Sequence, residues 1–197
     1  HDFRYGEGIA VPGPFPPRRI RLDDYLDDFF FDQEYVHIVG TSREAGKGQI
    51  VNLDVRKRIA TVDLPGMPHL GSGITWEYNG LRVMATPNLK EGVISIVDME
   101  DWKVIKRIDT LGPGFFMRSH ENTPYAWVDA MMSTKDKDKI QIIDKRALKV
   151  VKTLTPSPGK TAAHTEFTRD GKYALVSVWE LDGALVIYDA ATFKEVK

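Results

Sequence analysis

Ile94-Ser95-Ile96-Val97-Asp98, Ile140-Gln141-Ile142-Ile143-Asp144 and Leu185-Val186-Ile187-Tyr188-Asp189 are one element written three times. A looser copy, Ile50-Val51-Asn52-Leu53-Asp54, precedes them. The aspartates closing the four copies lie 44, 46 and 45 residues apart. After each comes a short polar turn, then an alternating apolar and basic stretch such as Trp102-Lys103-Val104-Ile105-Lys106-Arg107-Ile108 or Leu148-Lys149-Val150-Val151-Lys152-Thr153-Leu154. Period-two alternation marks strands with one buried and one wet face. Aspartate suits the turn because its carboxylate accepts from backbone N–H groups just ahead.

Another strand precedes each copy, introduced by turn residues: Asn79-Gly80 before Leu81–Ala85, Asn122-Thr123-Pro124 before Tyr125–Val128, Asp170-Gly171 before Lys172–Val178. Asp32-Gln33-Glu34 stands before Tyr35–Val39 in the same way. A further short apolar segment opens each unit, such as Phe115-Phe116-Met117. Four strands in roughly 45 residues is the size of a propeller blade. The expectation is an all-β chain, a β-propeller of four-stranded antiparallel blades, of which it carries about four. Residues 1–34 read as an irregular lead-in with part of a blade, and residues 35–197 as successive blades of one domain. Helical periodicity is hinted at only over Leu22 to Phe31. Both ends read as cuts, so a seven- or eight-bladed parent ring is expected over a closed four-bladed one. The remaining blades, or a second copy, would then cover the open faces.

Composition narrows the chemistry. Of 197 residues, 42% are hydrophobic and 28% charged, with 27 Lys+Arg against 28 Asp+Glu. No basic stripe suggests nucleic acid, and no apolar run is long enough to span a bilayer. The chain has no cysteine, which excludes disulfides, thiol chemistry and a covalent c-type haem within this segment. P-loop, G-x-S-x-G and H-E-x-x-H motifs are all missing.

Blade geometry directs attention to the central axis. The innermost strands are expected to start near His69, Phe116 and His164, which lie 29, 28 and 25 residues before the repeat aspartates of their blades. Loops 43–48, 87–92, 130–139 and 179–183 share that face. Two imidazoles, aromatic and Met side chains, Arg118 and Trp179 should therefore converge there. Imidazole can ligate a metal, transfer a proton or hold an anion, and the apolar neighbours suit a flat macrocycle. The competing reading of each histidine is structural hydrogen bonding. His37 is expected to be packed, His120 to be solvated or to cap a turn, and Trp76, Trp102 and Trp127 to lie in the core or at blade interfaces.

Pro68-His69-Leu70-Gly71-Ser72-Gly73 resembles the P-H-P-G-x-G stretch of the haem d1 domain of cytochrome cd1 nitrite reductases. The segments Gly112–His120, Tyr125–Asp129, Glu166–Lys172, Val176–Trp179 and Ala184–Asp189 resemble the same domain in order, so the similarity runs over roughly residues 20 to 197. The resemblance implies an eight-bladed propeller around haem d1, in a periplasmic oxidoreductase that reduces nitrite to nitric oxide. A c-type haem and the electron donor would lie outside this segment, and half a ring alone would be inactive. His69 matches a family histidine that acts as general acid or anion-orienting group. Cofactor contacts are then expected from His69, His164, Phe116, Arg118 and Trp179, with His164 or His69 as a possible iron ligand. Two features depart from the nitrite-reductase pattern. Leu22-Asp23-Asp24-Tyr25 lacks the family's second histidine, and His164 stands where those enzymes have another residue. These departures add weight to a second reading, a relative that binds haem d1 or its precursor during its biosynthesis, while the nitrite reductase-like enzyme stays the first. A propeller binding module without cofactor is the third alternative.

Overall fold

The computed structural model describes residues 20–22, 24–42 and 46–197. Most of the lead-in, Asp23 and part of the loop after Thr41 lie outside these residues. Fifteen strands fall into four antiparallel sheets. The first holds β1 (Asp28–Phe31), β2 (His37–Thr41), β3 (Gly48–Asn52) and β4 (Lys57–Val62). The second holds β5 (Ile74–Tyr78), β6 (Leu81–Pro87), β7 (Val93–Asp98) and β8 (Lys103–Asp109). In the third are β9 (Met117–Ser119), β10 (Tyr125–Asp129), β11 (Ile140–Asp144) and β12 (Lys149–Leu154). The fourth has β13 (Ala162–Phe167), β14 (Tyr173–Val178) and β15 (Ala184–Asp189), with Glu195 bridging back to Tyr188 as the start of an outer strand. Strands follow chain order in every sheet, as in a propeller blade. The described residues of Leu22 to Phe31 form no helix: the last four are β1, the inner strand of the first blade. Among the described residues the one helical element is a single 3₁₀ turn, Leu70–Ser72.

The core lies between sheets rather than within them. Val39, Ile50, Val62 and Leu64 of the first blade meet Leu70, Met84, Val97 and Trp102 of the second. Val83, Ala85, Ile94 and Ile96 pack on Met117, Ala126, Val128 and Ile143 of the third. Trp127, Ile140 and Ile142 pack on Ala174, Val176 and Tyr188 of the fourth. Radial stacking therefore follows from buried apolar faces on both sides of each sheet.

Turn chemistry corrects one detail of the repeat. The residue closing each third strand accepts backbone N–H groups two or three positions ahead: Asp98 from Glu100, Asp144 from Arg146 and Ala147, Asp189 from Ala191 and Thr192. In the first blade Asn52 does this for Asp54 and Val55, so Asn52, not Asp54, is the equivalent position. The turns continue with a left-handed residue at the same phase, Arg56, Trp102, Leu148 and Phe193. The three complete outer strands each carry a bulge opposite Ile50/Val51, Ile96/Val97 and Ile142/Ile143. Their extra residues, Ile59, Ile105 and Val151, face outward, which accounts for three exposed aliphatics. A bulged outer strand is a poor template for edge pairing.

At the other end of the first blade, Asp32 accepts the N–H of Val36 and His37 at 2.8 and 3.0 Å and the Nδ1–H of His37 at 2.8 Å. Asn52 then donates to His37 Nε2 at 3.1 Å, and the His37 ring meets Trp102 of the second blade. His37 is thus tied into the blade seam. Burial pushes the Asp32 carboxyl up, but these donors outweigh it and hold it below the usual carboxylate range. A depressed folded pKa contributes stability above the unfolded value of about 3.9, lost as pH falls through the folded value. Asp32→Ala should cost roughly 1–3 kcal/mol at pH 7. The gap to the unsubstituted protein should narrow on acidification below about pH 4, read by urea titration across pH.

Candidate functional site

Inner strands β1, β5, β9 and β13 begin on one face, and there the blades bring their side chains together. His69 does not sit at a strand start. It precedes the 3₁₀ turn, five residues ahead of Ile74, and is folded back over the face by that turn. Two backbone contacts fix it: the His69 N–H donates to Pro87 O at 2.9 Å, and Asn88 grips the preceding loop. The Asn88 side chain accepts the N–H of Met67 and donates to Pro65 O. Gly66 has φ +76° and leaves no room for a Cβ against Asn88, so this loop requires glycine there. The His69 imidazole crosses to the next blade, where Nδ1–H donates to Phe115 O at 2.5 Å. A carbonyl only accepts, so Nε2 keeps its lone pair.

Phe116 immediately precedes β9. His164 lies inside β13 rather than at its start, because a bulge between Ala163 and Thr165 leaves it unpaired. Its φ is +54°, a strained conformation for a residue with a Cβ. Bulges of this kind re-aim side chains beside functional sites. Here the imidazole is turned onto Phe116, ring centroids 4.6 Å apart and 24° from parallel. Its Nε2–H donates to Glu166 Oε1 at 3.2 Å, leaving Nδ1 with the lone pair. Arg118 Nε donates to the same carboxylate oxygen at 3.1 Å. Trp179, about half exposed, meets Phe116 at 5.7 Å. His69 in turn stacks at 4.1 Å on Phe115, which is 4.7 Å from Phe116.

The five residues expected from sequence thus form one connected platform across three blades. It runs from His69 through Phe115 and Phe116 to His164 and Trp179, with Arg118 reaching His164 through Glu166. Phe115, Glu166, Asn88 and Asp129 were not singled out by sequence, although Phe115 adjoins Phe116 and Asp129 ends the second strand of its blade. His120 accepts the N–H of Asn122 across its turn, the capping role expected of it.

A cavity of about 310 Å³ opens beside His69, lined by Asp28, Pro68, Leu89 and Phe115 among others. That is the low end for a small-molecule pocket, a corner of a site rather than the whole. The larger cavity, about 750 Å³, lies at the opposite end of the inner strands and contains neither His69 nor His164. Two hydrogen bonds at its wall cross between blades, Gln33 Nε2 donating to Thr75 Oγ1 and Trp76 Nε1 to Lys145 O, while Lys145 Nζ donates to His120 O within the third blade.

A propeller presenting two imidazoles and a row of aromatic rings on one face is built to hold a flat, metal-bearing macrocycle. One histidine, its other nitrogen pinned to a carbonyl, has the arrangement typical of metal-ligating imidazoles, and Arg118 is paired with Glu166 beside the other. Residues 10–197 match the Cytochrome D1 heme domain model, and the chain belongs to that family. The family's group is the haem d1 that the sequence resemblance implied. Dihydro-heme d1 dehydrogenase of Pseudomonas aeruginosa is 54% identical over 184 residues, 93% of this chain and 37% of the relative. Protein NirF of the same organism is 31% identical over 130 residues, 66% of this chain and 31% of the relative. Among solved structures, dihydro-heme d1 dehydrogenase NirN in complex with DHE superposes with TM-score 0.90 at 53% identity, covering 93% of this chain and 39% of that one. Hydrazine synthase of Kuenenia stuttgartiensis superposes with TM-score 0.70 at 15% identity over 94% of this chain and 52% of that one, a likeness of fold alone. The chain spans less than two fifths of the curated relatives' length. Among the described residues no helix is long and apolar enough to cross a membrane.

Proposed function

We propose that this chain forms part of the substrate site of a dihydro-haem d1 dehydrogenase. The carrying observation is the pair of imidazoles on separate blades, each with one nitrogen engaged and the other bare, at the two ends of an aromatic platform. Similarity above half identity to a dehydrogenase of that name supports the reading. Nitrite reduction, implied by the sequence resemblance, has less support, since a relative 54% identical to this chain is by name a dehydrogenase of dihydro-heme d1.

The substrate would be dihydro-haem d1. Dehydrogenation of its saturated side chain breaks two C–H bonds on adjacent carbons, forms one C=C bond and releases two protons and two electrons. The two electrons would leave one at a time, each to an oxidised one-electron acceptor such as a c-type haem outside this chain, which is reoxidised between the two steps. The partner is then an electron acceptor, the reverse of the donor a nitrite reductase needs. His164 Nδ1 accepts one proton and water at the open face the other, while Glu166 holds the imidazolium that forms. His69 Nε2 stands free to ligate the iron. Phe115, Phe116 and Trp179 provide apolar surface against the macrocycle, and Arg118 a cation for its carboxylates. The rest of the ring, in the same chain or a second copy, completes the enclosure. The periplasm is the compartment the family resemblance implies.

The test is full-length protein mixed with dihydro-haem d1 and a one-electron acceptor, followed by visible absorption and mass. Binding with loss of two mass units is the expected result. Nitrite turnover without that mass change would restore the reductase reading, and no spectral change on mixing would sink both.

A further inference from the structure

Asp129 closes β10 and is 2% exposed. Its carboxylate accepts Phe115 N–H at 2.8 Å, Phe116 N–H at 3.0 Å and Met131 N–H at 3.3 Å. No Lys or Arg pairs with it among the described residues. Backbone donors alone compensate this buried acid, an arrangement that removal of either side would leave unbalanced.

The consequence lies one bond further on. With both N–H groups of Phe115 and Phe116 held by Asp129, the intervening peptide has a fixed orientation, and Phe115 O is the atom that receives His69 Nδ1–H. Gly114 presses its Cα against the Asp129 carbonyl so closely that a Cβ would lie 2.5 Å from the oxygen, so the loop cannot drift toward β10. One carboxylate of the third blade therefore reaches His69 of the second through a peptide.

We propose that Asp129 is a positioning residue for His69, holding its imidazole in the Nδ1–H tautomer with Nε2 bare toward the centre. This deepens the reading of His69 and His164 as the substrate-facing pair and rests on it. Asp129 itself touches no substrate. Its removal frees the Phe115 carbonyl to rotate, and His69 then loses the acceptor that selects its tautomer.

The experiment uses full-length protein free of haem d1, labelled with ¹⁵N in histidine side chains. Long-range ¹H–¹⁵N spectra identify the His69 ring by its loss in His69→Gln. Unsubstituted protein should show His69 as a single Nδ1–H tautomer. In Asp129→Ala the ring should become a mixture, and haem d1 affinity should fall about 10–100-fold, the range for loss of a group that orients a metal-ligating residue. Asp129→Asn keeps the shape and one acceptor oxygen, so it should fold even where the alanine variant does not and show an intermediate tautomer ratio. A single unchanged Nδ1–H tautomer in whichever of the two variants folds would overturn the proposal. The tautomer reading needs neither haem nor turnover. Failure of unsubstituted protein to bind haem d1 would therefore overturn the proposed function and leave the Asp129 result standing on its own.

Discussion

Exchanging His164 for alanine in the full-length protein should lower dihydro-haem d1 turnover by about 10²–10⁴-fold, the usual span for loss of a positioned proton acceptor. Substrate affinity should change far less, because Phe115, Phe116 and Trp179 remain. The backbone adds a second, independent readout. At φ +54° a Cβ is strained, and glycine is not. His164→Gly should therefore be as inactive as His164→Ala yet unfold later, by roughly 1 kcal/mol. Turnover and thermal unfolding of the two variants side by side measure both. Full turnover in either variant would remove His164 from the chemistry.

Trp127→Ala should be the most damaging single truncation in the described core, costing about 3–5 kcal/mol. Trp127 is fully buried where the third blade packs on the fourth, its ring edge-on to Phe167 at 6.2 Å and tilted against Tyr188 at 5.8 Å. Its indole N–H has no hydrogen-bond partner among the described residues. Trp127→Phe should for that reason cost much less than its lost volume suggests, since it also removes an uncompensated donor. Urea midpoints for the two variants give the comparison. Equal losses would show that the indole N–H is satisfied and that volume is not the deciding term.

Much of this molecule was legible from local chemistry. Alternation along Lys103–Asp109 and Lys149–Leu154 reads directly as outer strands with one wet face, and Asp98, Asp144 and Asp189 each close a turn as an Asx residue should. The first blade was read two residues out of phase because both Asn52 and Asp54 can make that turn, and only the pairing of β3 with β4 decides between them. Likewise Leu22 to Phe31 has spacing that either a helix or a strand could use; pairing of Phe29 and Phe30 with Gly40 and Val39 settles it.

Of the site, the sequence indicated His69, Phe116, Arg118, His164 and Trp179 through repeat phase and resemblance, but placed the histidines at strand starts. Asp129 was invisible as anything more than the last residue of a strand, since its meaning depends on N–H groups that arrive from the segment ahead of another strand.

The amino-acid order alone therefore determined the module, its four-strand content and the face on which His69, Phe116 and His164 are brought together. These follow from alternation and turn residues, interactions that span a few positions of chain. Tertiary packing alone decided the bulge that turns His164 onto Phe116, the tautomer of His69 and the grip of Asp129. The first two need groups from neighbouring blades, 46 positions apart for His69 and Phe115, and the third needs N–H groups that lie before β9 brought to the end of β10; geometry at such separations exists only once strands and sheets are assembled.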